Sequence, residues 1–312
     1  MNKNTPYRAG GMYLGQDGRW QSAYVVTDGR ELLEFVGGQV TPDPQTVECD
    51  VLGIEATPDV DQPLSVTELA QETGATVISD MRQSDLVFGG RGTPLSPFYL
   101  HALARRQGAT KPVVFLQLDQ SASVVWIDPT IEPPETDGAT LAFEAGPALG
   151  PIDLLHAQRP YGSYQGGTVA DGALELFLDD PFFRRIPPKW LDDFSFDQML
   201  QLVFELSDAD AEATLCAMSA TAIMLAVEHF PATPDQFLAY GRGTQHGMLK
   251  RMITAGLDAE LTALEDWDIQ PETLNAQSIA FLAVRALNGL PTTAPSTTGV
   301  KAAIGGATIT RL

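Results

Sequence analysis

The sequence predicts an α/β protein built as two lobes, with a mixed sheet in each lobe. The chain has 312 residues, which is enough for two hydrophobic cores of ordinary size. Hydrophobic residues make up 44% of the chain, a share typical of globular domains. Strand patterns come first along the sequence, and helical patterns dominate after about residue 140.

The first third of the chain is rich in strand patterns. The segments "SAYVVTDG" and "RELLEFVGGQV" are predicted to form two strands joined at Asp28-Gly29, a dipeptide typical of hairpin turns. Further strands are predicted at "CDVLGIEA" and "ATVISD". A helix lies between them, because Ser65 and Glu68 form a capping box and Gly74 supplies the stop.

The chain then continues with a helix and a pair of strands. "SPFYLHALARRQG" predicts a helix with basic residues in its last turn. "KPVVFLQLD" and "SASVVWID" are predicted as neighbouring strands. Prolines and acids cluster in residues 129–139, which indicates a linker or a hairpin tip.

The second half of the chain is predicted to be mainly helical. Helical periodicity runs through "GGTVADGALELFLDD", "SFDQMLQLVFELS", "DADAEATLCAMSATAIMLAVEHF" and "PETLNAQSIAFLAVRALNG". "ATLCAMSATAIMLAVEHF" is about one membrane span in length, but its small residues and flanking acids favour a buried core helix. One strand, "QFLAY", leads into a glycine turn and a further helix at "GRGTQHGMLKRMI".

The charge and cysteine content exclude several classes of partner. The formal net charge of −21 repels nucleic acids and anionic membrane surfaces, so neither is an expected partner. Cys49 and Cys216 lie far apart, without a CxxC motif or zinc-finger spacing, which favours a reducing cytoplasm. The first residues, "MNKNTPYRAGG", lack the apolar core of a signal peptide.

Residues 79–97, "SDMRQSDLVFGGRGTPLSP", form the densest motif. Closely spaced glycines allow backbone N–H groups to approach a ligand, and Arg82 and Asp85 can bind polar groups. The same residues also fit a purely structural turn held by an Arg82–Asp85 pair. Composition favours the structural interpretation.

Three other segments carry candidate chemistry. In "AFEAGPALGPID", Asp153 is either a general base fixed beside a turn or an ordinary helix cap. "AYGRGTQHG" has the strand, glycine turn and helix order of a nucleotide site, with His246 either a ligand or a polar residue at the helix start. "RRIPPKW" is interpreted as a surface turn. "GMYLGQDGRW" fits either a phosphate-binding loop or a simple hairpin turn.

Taken in order, these segments resemble the anhydro-N-acetylmuramic acid kinase family. Residues 79–97 look like the family's Asp-Phe-Arg-x-x-Asp-x-Ala-x-Gly-Gly-Gln-Gly-Ala-Pro-Leu-x-Pro, with substitutions at Met81, Arg91 and Thr93. "FEAGPALGPID" looks like its Phe-Asp-Thr-Gly-Pro-Gly-Asn-x-x-x-Asp. The helix "DADAEATLCAMSATAI" and the C-terminal segment from residue 271 also resemble the family, so the likeness runs from about residue 50 to 312.

The resemblance implies a fold and a division into lobes. The fold is α/β, of the actin-like, sugar-kinase type: a bilobal fold with two ribonuclease-H-like lobes, mixed sheets and a cleft between them. Residues 1–128 and about 295–312 would form the N-terminal lobe, on the sugar side and shortened. Residues 129–294 would form the C-terminal, helix-rich lobe on the nucleotide side.

The resemblance also implies an activity and its participants. The family phosphorylates 1,6-anhydro-N-acetylmuramic acid with ATP and magnesium while water opens the anhydro ring, as part of cell-wall recycling. The expected partners are therefore this amino sugar and ATP, in the cytoplasm, and a homodimer is possible. Asp153 would be the catalytic base. Sugar binding is expected from Arg82, Asp85, Gly90, Arg91 and Thr93. No metal ligand is assigned.

Several departures from the family pattern keep a second function open. The first phosphate turn reads "GMYLGQDG", with Gly15, Asp17 and Gly18 retained but without the family's Ser and Thr-Ser. A kinase depends on positioned donors around the phosphoryl group, so lost donors should lower the rate. The alternative is a catalytically silent paralogue that binds a small ligand or regulates, needing no cofactor. The remaining nucleotide-binding candidates, also altered, are Glu144, Gly146, Gly241, Arg242 and Gly243.

Overall fold

A computed structural model describes residues 5–46, 48–58, 60–192 and 195–311 of the chain. The chain divides into two compact units. Unit 1 comprises Met1–Lys111, Ile127–Thr140 and Trp267–Leu312. Unit 2 comprises Pro112–Trp126 and Leu141–Asp266.

Unit 1 contains a six-stranded sheet with the order β11-β5-β4-β1-β2-β3. The pairs β1–β2 and β2–β3 are antiparallel, β4 runs parallel to β1 and to β5, and β11 is antiparallel to β5. The sheet is therefore mixed. Its strands are β1 (Tyr7–Leu14), β2 (Trp20–Thr27), β3 (Leu32–Thr41), β4 (Val51–Ala56), β5 (Thr76–Ser79) and β11 (Thr308–Thr310).

The helices of unit 1 follow the predicted caps. Ser65 accepts a hydrogen bond from the Glu68 backbone at the start of the first helix, and Gly74 ends it with φ of 68°. The hydrophobic side chains of this helix pack with those of β1 and β4. The helices are α1 (Val66–Thr73), α2 (Gln83–Val87), α3 (Pro97–Arg106), α9 (Leu274–Leu287) and α10 (Pro295–Thr298).

Helix α9 lies unusually close to the sheet of unit 1. A Cβ atom added at Gly11 would lie 1.8 Å from the Ala276 carbonyl oxygen, and one at Gly53 would lie 2.7 Å from that of Ile279. Both distances are far below van der Waals contact, so β1 and β4 need glycine here for the helix to reach the sheet. The first glycine of "GMYLGQDG" therefore serves helix-to-sheet packing.

Unit 2 contains a five-stranded sheet with the order β10-β9-β6-β7-β8. Strand β9 runs parallel to both β6 and β10, while β6 and β7 form a hairpin joined by two residues. Its strands are β6 (Val113–Leu118), β7 (Ser121–Ile127), β8 (Thr140–Pro147), β9 (Gln236–Tyr240) and β10 (Leu261–Ala263).

The two sheets share one strand order. The first three strands of each unit lie side by side in the order β3-β2-β1 or β8-β7-β6. The next two strands, β4 and β5 or β9 and β10, follow beside β1 or β6, and each runs parallel to the strand before it in the sheet. This repeated mixed sheet confirms the predicted α/β class with two ribonuclease-H-like units. In unit 1, β11 extends the sheet by one strand.

Helices supply most of the core of unit 2. The longest, α7, is the one described helix long and apolar enough to cross a membrane, and 67% of its apolar window is buried inside the protein. This agrees with the predicted core helix. The helices are α4 (Gly150–Gln158), α5 (Asp171–Leu178), α6 (Phe196–Leu202), α7 (Asp208–Val227) and α8 (Gly247–Leu257). Short 3-10 helices cover Pro181–Arg184, Arg242–Gln245, Leu264–Trp267 and Pro271–Thr273.

The boundaries of the two units differ from the predicted lobes of 1–128 with 295–312 and 129–294. Residues 112–126 belong to unit 2, because β6 and β7 form the middle of its sheet. Residues 127–140 and 267–294 belong to unit 1, where α9 packs on β1, β2 and β4. The described residues between β3 and β4, 42–46 and 48–50, contain no helix.

Candidate active site

In unit 1, Asp85 holds the glycine loop that follows α2. Its Oδ1 accepts a hydrogen bond of 2.6 Å from the Gly92 backbone, and its Oδ2 accepts one of 2.6 Å from the Thr298 hydroxyl. The side chain is buried, and a Cβ at Gly90 would overlap its carboxylate. Asp85 therefore fixes the loop to Thr298, in α10. A direct contact between Asp85 and a sugar stays a prediction.

Arg82 lies beside a buried carboxylate that the sequence did not indicate. Glu55, at the end of β4, accepts a 2.5 Å hydrogen bond from the Met81 backbone. Burial raises the pKa of Glu55, and the positive charge of Arg82 opposes this rise. The Nε of Arg82 is buried and has no hydrogen-bond partner among the described residues. Asp80, which directly precedes Met81, has φ of 57°, in the left-handed region that aspartate enters more readily than most non-glycine residues.

The other predicted sugar-side residues lie on the same loop. Arg91 is exposed, and its backbone donates a 3.0 Å hydrogen bond to the Thr298 carbonyl. Thr93 is half-buried and precedes Pro94. The structure thus brings Arg82, Gly90, Arg91 and Thr93 into one loop around Asp85, whereas Glu55 joins them from a neighbouring strand. An acid at the end of a parallel strand is the signal that could have identified Glu55.

The predicted first phosphate turn is the β1–β2 hairpin. Gly15 donates a 3.0 Å hydrogen bond to the Arg19 carbonyl, and Gly18 donates one of 3.1 Å to the Gly15 carbonyl. Asp17 Oδ1 accepts a 3.0 Å hydrogen bond from the Arg19 backbone, and Gly18 has φ of 73°. The hairpin therefore satisfies the Asp17 carboxylate and these amides internally. Phosphate binding by this turn stays a prediction.

In unit 2, Asp153 lies in the first turn of α4 and is held by two donors. Arg242 Nη2 donates to Asp153 Oδ2 over 2.8 Å, and Gln120 Nε2 donates to the same oxygen over 3.0 Å. Both hydrogen bonds from described side chains end on Oδ2. The side chains of Asp153 and Arg242 are 40% and 59% exposed, so a ligand can reach both.

Asp119 completes this arrangement from the β6–β7 turn. Its Oδ1 accepts a 3.0 Å hydrogen bond from the Arg242 backbone, and its Oδ2 accepts one of 2.9 Å from Gln117. The hydrogen bond to Asp153 raises the pKa of Arg242, with smaller contributions from the charges of Asp153 and Asp119. Sequence reasoning missed Asp119 and Gln120, although an acid directly after a strand was a usable signal.

Gly241 and Gly243, the glycines of the predicted nucleotide turn, contact the end of β6. Gly241 has φ of 93°, and a Cβ on it would lie 2.6 Å from the Leu118 carbonyl oxygen. A Cβ on Gly243 would lie 2.7 Å from Leu118 Cβ. Close packing on Leu118 thus explains both glycines without a nucleotide. Arg242 between them is partly exposed, and its side chain points to Asp153.

The backbone amides before and at the start of α4 are already used. Ala148 and Gly150 donate to the Gln120 carbonyl over 3.0 and 2.9 Å, and Leu149 donates to the Asp119 carbonyl over 2.7 Å. Helix N-termini bind phosphate through unpaired N–H groups. These three amides are therefore not free for a phosphate in this structure.

Glu144 and Gly146, predicted as nucleotide-binding residues, have structural partners. Glu144 accepts hydrogen bonds from the Ser121 hydroxyl at 3.2 Å and from the Leu191 backbone at 2.6 Å. A Cβ on Gly146 would lie 2.5 Å from the Ala222 Cβ on α7. Glu144 therefore holds the segment after Pro188, and Gly146 allows β8 to approach α7.

The segment "RRIPPKW" is only partly the predicted surface turn. Ile186 is 84% exposed, but Lys189 is 4% exposed. The Lys189 ammonium lies 4.6 Å from the centre of the Phe182 ring and 5.9 Å from that of Phe143. Burial, followed by the charge of Arg185, lowers the pKa of Lys189 to about 8.

Asp119 and Asp153 both contact Arg242 in unit 2. Their carboxylate oxygens are of the kind that Mg²⁺ prefers. The guanidinium group of Arg242 is of the kind that binds phosphate. Binding of a magnesium nucleotide by these residues stays a prediction.

Comparison with known proteins decides the family. The sequence model of the anhydro-N-acetylmuramic acid kinase family matches residues 45–310. The chain belongs to this family. A curated anhydro-N-acetylmuramic acid kinase from Ruegeria sp. strain TM1040 is 46% identical over 249 residues, which cover 78% of this chain and 66% of the relative. The kinase from Jannaschia sp. strain CCS1 is 41% identical, and the alignment covers 88% of this chain and 72% of the relative. The kinase from Cereibacter sphaeroides is 39% identical, and the alignment covers 94% of this chain and 83% of the relative.

The solved structures that match this anhydro-N-acetylmuramic acid kinase family member do so at much lower sequence identity. The activator of the 2-hydroxyisocaproyl-CoA dehydratase from Clostridium difficile matches with a TM-score of 0.43 and 12% identity, over 89% of this chain and 94% of that chain. A ROK family glucokinase from Streptomyces griseus matches with a TM-score of 0.42 and 11% identity, over 88% and 98%.

Proposed function

We propose that this chain is an ATP-dependent kinase that acts on 1,6-anhydro-N-acetylmuramic acid. Family membership over residues 45–310 supports the substrate class and the reaction. The observation that carries the proposal within unit 2 is Asp153, held at the start of α4 by Gln120 and Arg242. The alignment covers about two thirds of the Ruegeria relative, so the activity of the whole enzyme is proposed here for the shorter chain.

Asp153 would act as the general base of the reaction. A base in this chemistry accepts a proton from the water that opens the anhydro ring, while the sugar hydroxyl receives the phosphoryl group. Because both donors use Oδ2, the other carboxylate oxygen of Asp153 can accept that proton. Gln120 and Arg242 orient the carboxylate, and its partial exposure allows the water to reach it.

ATP with magnesium would supply the phosphoryl group and neutralise its charge. Asp119 and Asp153 are the carboxylates that would bind the magnesium ion, and Arg242 would donate a hydrogen bond to a phosphate group of ATP. On this proposal unit 2 takes the nucleotide, and the loop around Arg82 and Asp85 in unit 1 takes the sugar. The reaction would occur in the cytoplasm, and we retain a homodimer as its proposed assembly.

A second function is favoured by the state of the predicted phosphate turns. Arg242 pairs with the proposed base, Glu144 is bound to Ser121 and Leu191, and the α4 amides bind the β6–β7 turn. Each of these groups therefore has an internal partner. These contacts support a catalytically silent member of the family that binds a small ligand or regulates another protein.

Two measurements separate these functions. Thermal unfolding is followed with Mg-ATP, with the anhydro sugar and with both, since a ligand of the native state raises its stability. ADP release is measured in parallel. We expect the kinase to be stabilised by Mg-ATP and to release ADP only when the sugar is present. Stabilisation by the sugar alone, without ADP release, would identify the silent member.

The variant Asp153→Asn tests the base directly. General-base catalysis contributes roughly 10²- to 10⁴-fold, so we expect the rate of ADP release to fall by at least about 100-fold. Asp171→Asn, at the exposed start of α5, is the matched control. An Asp153→Asn enzyme with the normal rate would exclude Asp153 as the base.

A further inference from the structure

Four potential metal ligands converge in unit 2. Glu212 and Cys216 lie four residues apart on α7, so their side chains share one face of the helix. His246 precedes α8, and His156 lies on α4. The chain contains four histidines and two cysteines, and two of those histidines and one of those cysteines meet at this one carboxylate.

The distances within this cluster are short. His246 Nε2 lies 3.2 Å from Glu212 Oε1, and His156 Nε2 lies 2.8 Å from Glu212 Oε2. Cys216 Sγ lies 4.0 Å from His246 Nδ1. Ligand atoms of Glu212, Cys216 and His246 all lie within 4.8 Å of one another. Neighbouring ligands of a tetrahedral zinc ion are about 3.3–3.8 Å apart, so a shift of about 1 Å brings this set to bonding positions.

We propose that Glu212, Cys216 and His246 bind a divalent transition-metal ion of the zinc type, with His156 holding the Oε2 atom of Glu212. Thiolate, imidazole and carboxylate groups are each ligands that zinc takes. Such a set does not suit Mg²⁺, which takes oxygen ligands. The site therefore differs in chemistry from the carboxylates around Asp153.

Metal binding changes the proton state of the ligands in a defined way. Cys216 forms the metal–sulfur bond and releases its thiol proton to solvent. In the metal-free protein His246 Nδ1 accepts a hydrogen bond from the Leu249 backbone over 3.3 Å, so Nε2 carries the proton toward Glu212. Coordination through Nε2 requires this proton to move to Nδ1, which can then no longer accept the hydrogen bond from Leu249.

Glu212 and Cys216 are both buried inside unit 2. The His156 side chain is 41% exposed, so an ion can enter from its side.

An ion at this position would join two helices of unit 2. It would connect α7 to the start of α8 through ligands from each, and His156 on α4 would hold Glu212. His246 also ends the Arg242–Gln245 turn, so the ion would fix the C-terminal end of the turn that carries Arg242. The role assigned here is structural and does not depend on the proposed kinase activity.

Cobalt titration tests the site without substrate or nucleotide. The full chain is stripped with a chelator and titrated with Co²⁺, which replaces zinc in such sites and reports thiolate ligation by a near-ultraviolet charge-transfer band. We expect one equivalent of Co²⁺ to give this band and the visible spectrum of tetrahedral cobalt. Zn²⁺ should displace the cobalt and raise the unfolding temperature.

Variants separate this site from adventitious binding. Cys216→Ala should lose the charge-transfer band, whereas Cys49→Ala, in unit 1, should retain it. His246→Gln should weaken Co²⁺ binding by roughly tenfold or more. The unfolding temperature of each metal-free variant shows whether it is folded. Absence of the band from the folded parent chain, or its persistence in Cys216→Ala, would overturn the proposal.

Discussion

Arg242 and Asp153 form an ion pair in which Nη2 and Oδ2 are 2.8 Å apart. Arg242 lies in the turn after β9, and Asp153 lies in the first turn of α4. Arg242, the proposed hydrogen-bond donor to the phosphate of ATP, thus binds Asp153, the proposed base. Both side chains are partly exposed, so the pair adds at most about 1 kcal/mol to stability.

Replacement of Arg242 by alanine tests which function this pair serves. A charged hydrogen bond to phosphate is worth roughly 1.5–3 kcal/mol, so Arg242→Ala should weaken ATP binding by about tenfold or more. Arg242→Lys keeps the charge and should lose less. Calorimetric titration with Mg-ATP measures the dissociation constant. Tighter ATP binding by Arg242→Ala would instead show that this side chain obstructs the nucleotide.

The buried Asp85 is expected to be a major contributor to the stability of unit 1. Asp85→Ala removes the acceptor for both Gly92 and Thr298, and we expect the free energy of unfolding to fall by about 3–5 kcal/mol. Thr298→Val removes one donor and should cost about 1–2 kcal/mol. Urea unfolding measures both, with the exposed Asp61→Ala as control. Equal losses in Asp85→Ala and Asp61→Ala would contradict this role.

Lys189 should make stability depend on pH in the alkaline range. Its pKa is about 8 in the folded protein and 10.5 ordinarily, so between these values the unfolded chain binds more protons. Stability should therefore rise with pH from about 8 to about 10.5, by at most about 3 kcal/mol from this group. Lys189→Met should remove this rise, and the exposed Lys250→Met should retain it. Unfolding free energies across this range provide the measurement, and an identical pH profile in Lys189→Met would refute the assignment.

Two glycines of the β1–β2 hairpin should respond differently to alanine. Gly11→Ala places a methyl group against the Ala276 carbonyl and should cost about 2–3 kcal/mol. Gly18→Ala meets no atom within 4 Å, but its φ of 73° should cost about 1 kcal/mol. Thermal unfolding compares the two variants. A larger loss from Gly18→Ala would show that α9 does not restrict β1 as described.

Local patterns in the sequence predicted the elements of the fold well. The Asp28-Gly29 turn, the Ser65 cap and the Gly74 stop depend on neighbouring residues, and each is confirmed. The strand order was not predicted, because sheet pairing joins residues far apart in the chain. The two compact units differ from the predicted lobe boundaries, since periodicity does not reveal which sheet a strand or helix joins.

The candidate site was less accessible to sequence reasoning. Asp153 and Arg242 were both identified, but nothing in the sequence indicated their 2.8 Å contact across 89 positions. The glycines Gly241 and Gly243 suggested a nucleotide turn, whereas close packing on Leu118 accounts for them. A glycine pattern does not distinguish a backbone approached by a ligand from one approached by another strand.

The discontinuity of unit 1 has a consequence for folding during synthesis. Residues 112–126 and 141–266, which make up unit 2, leave the ribosome before α9. Until α9 emerges, the strip of β1 and β4 around Gly11 and Gly53 lacks the helix that covers it. The part of the protein translated first therefore completes its folding last, and it is this unfinished sheet that a chaperone would meet on the nascent chain.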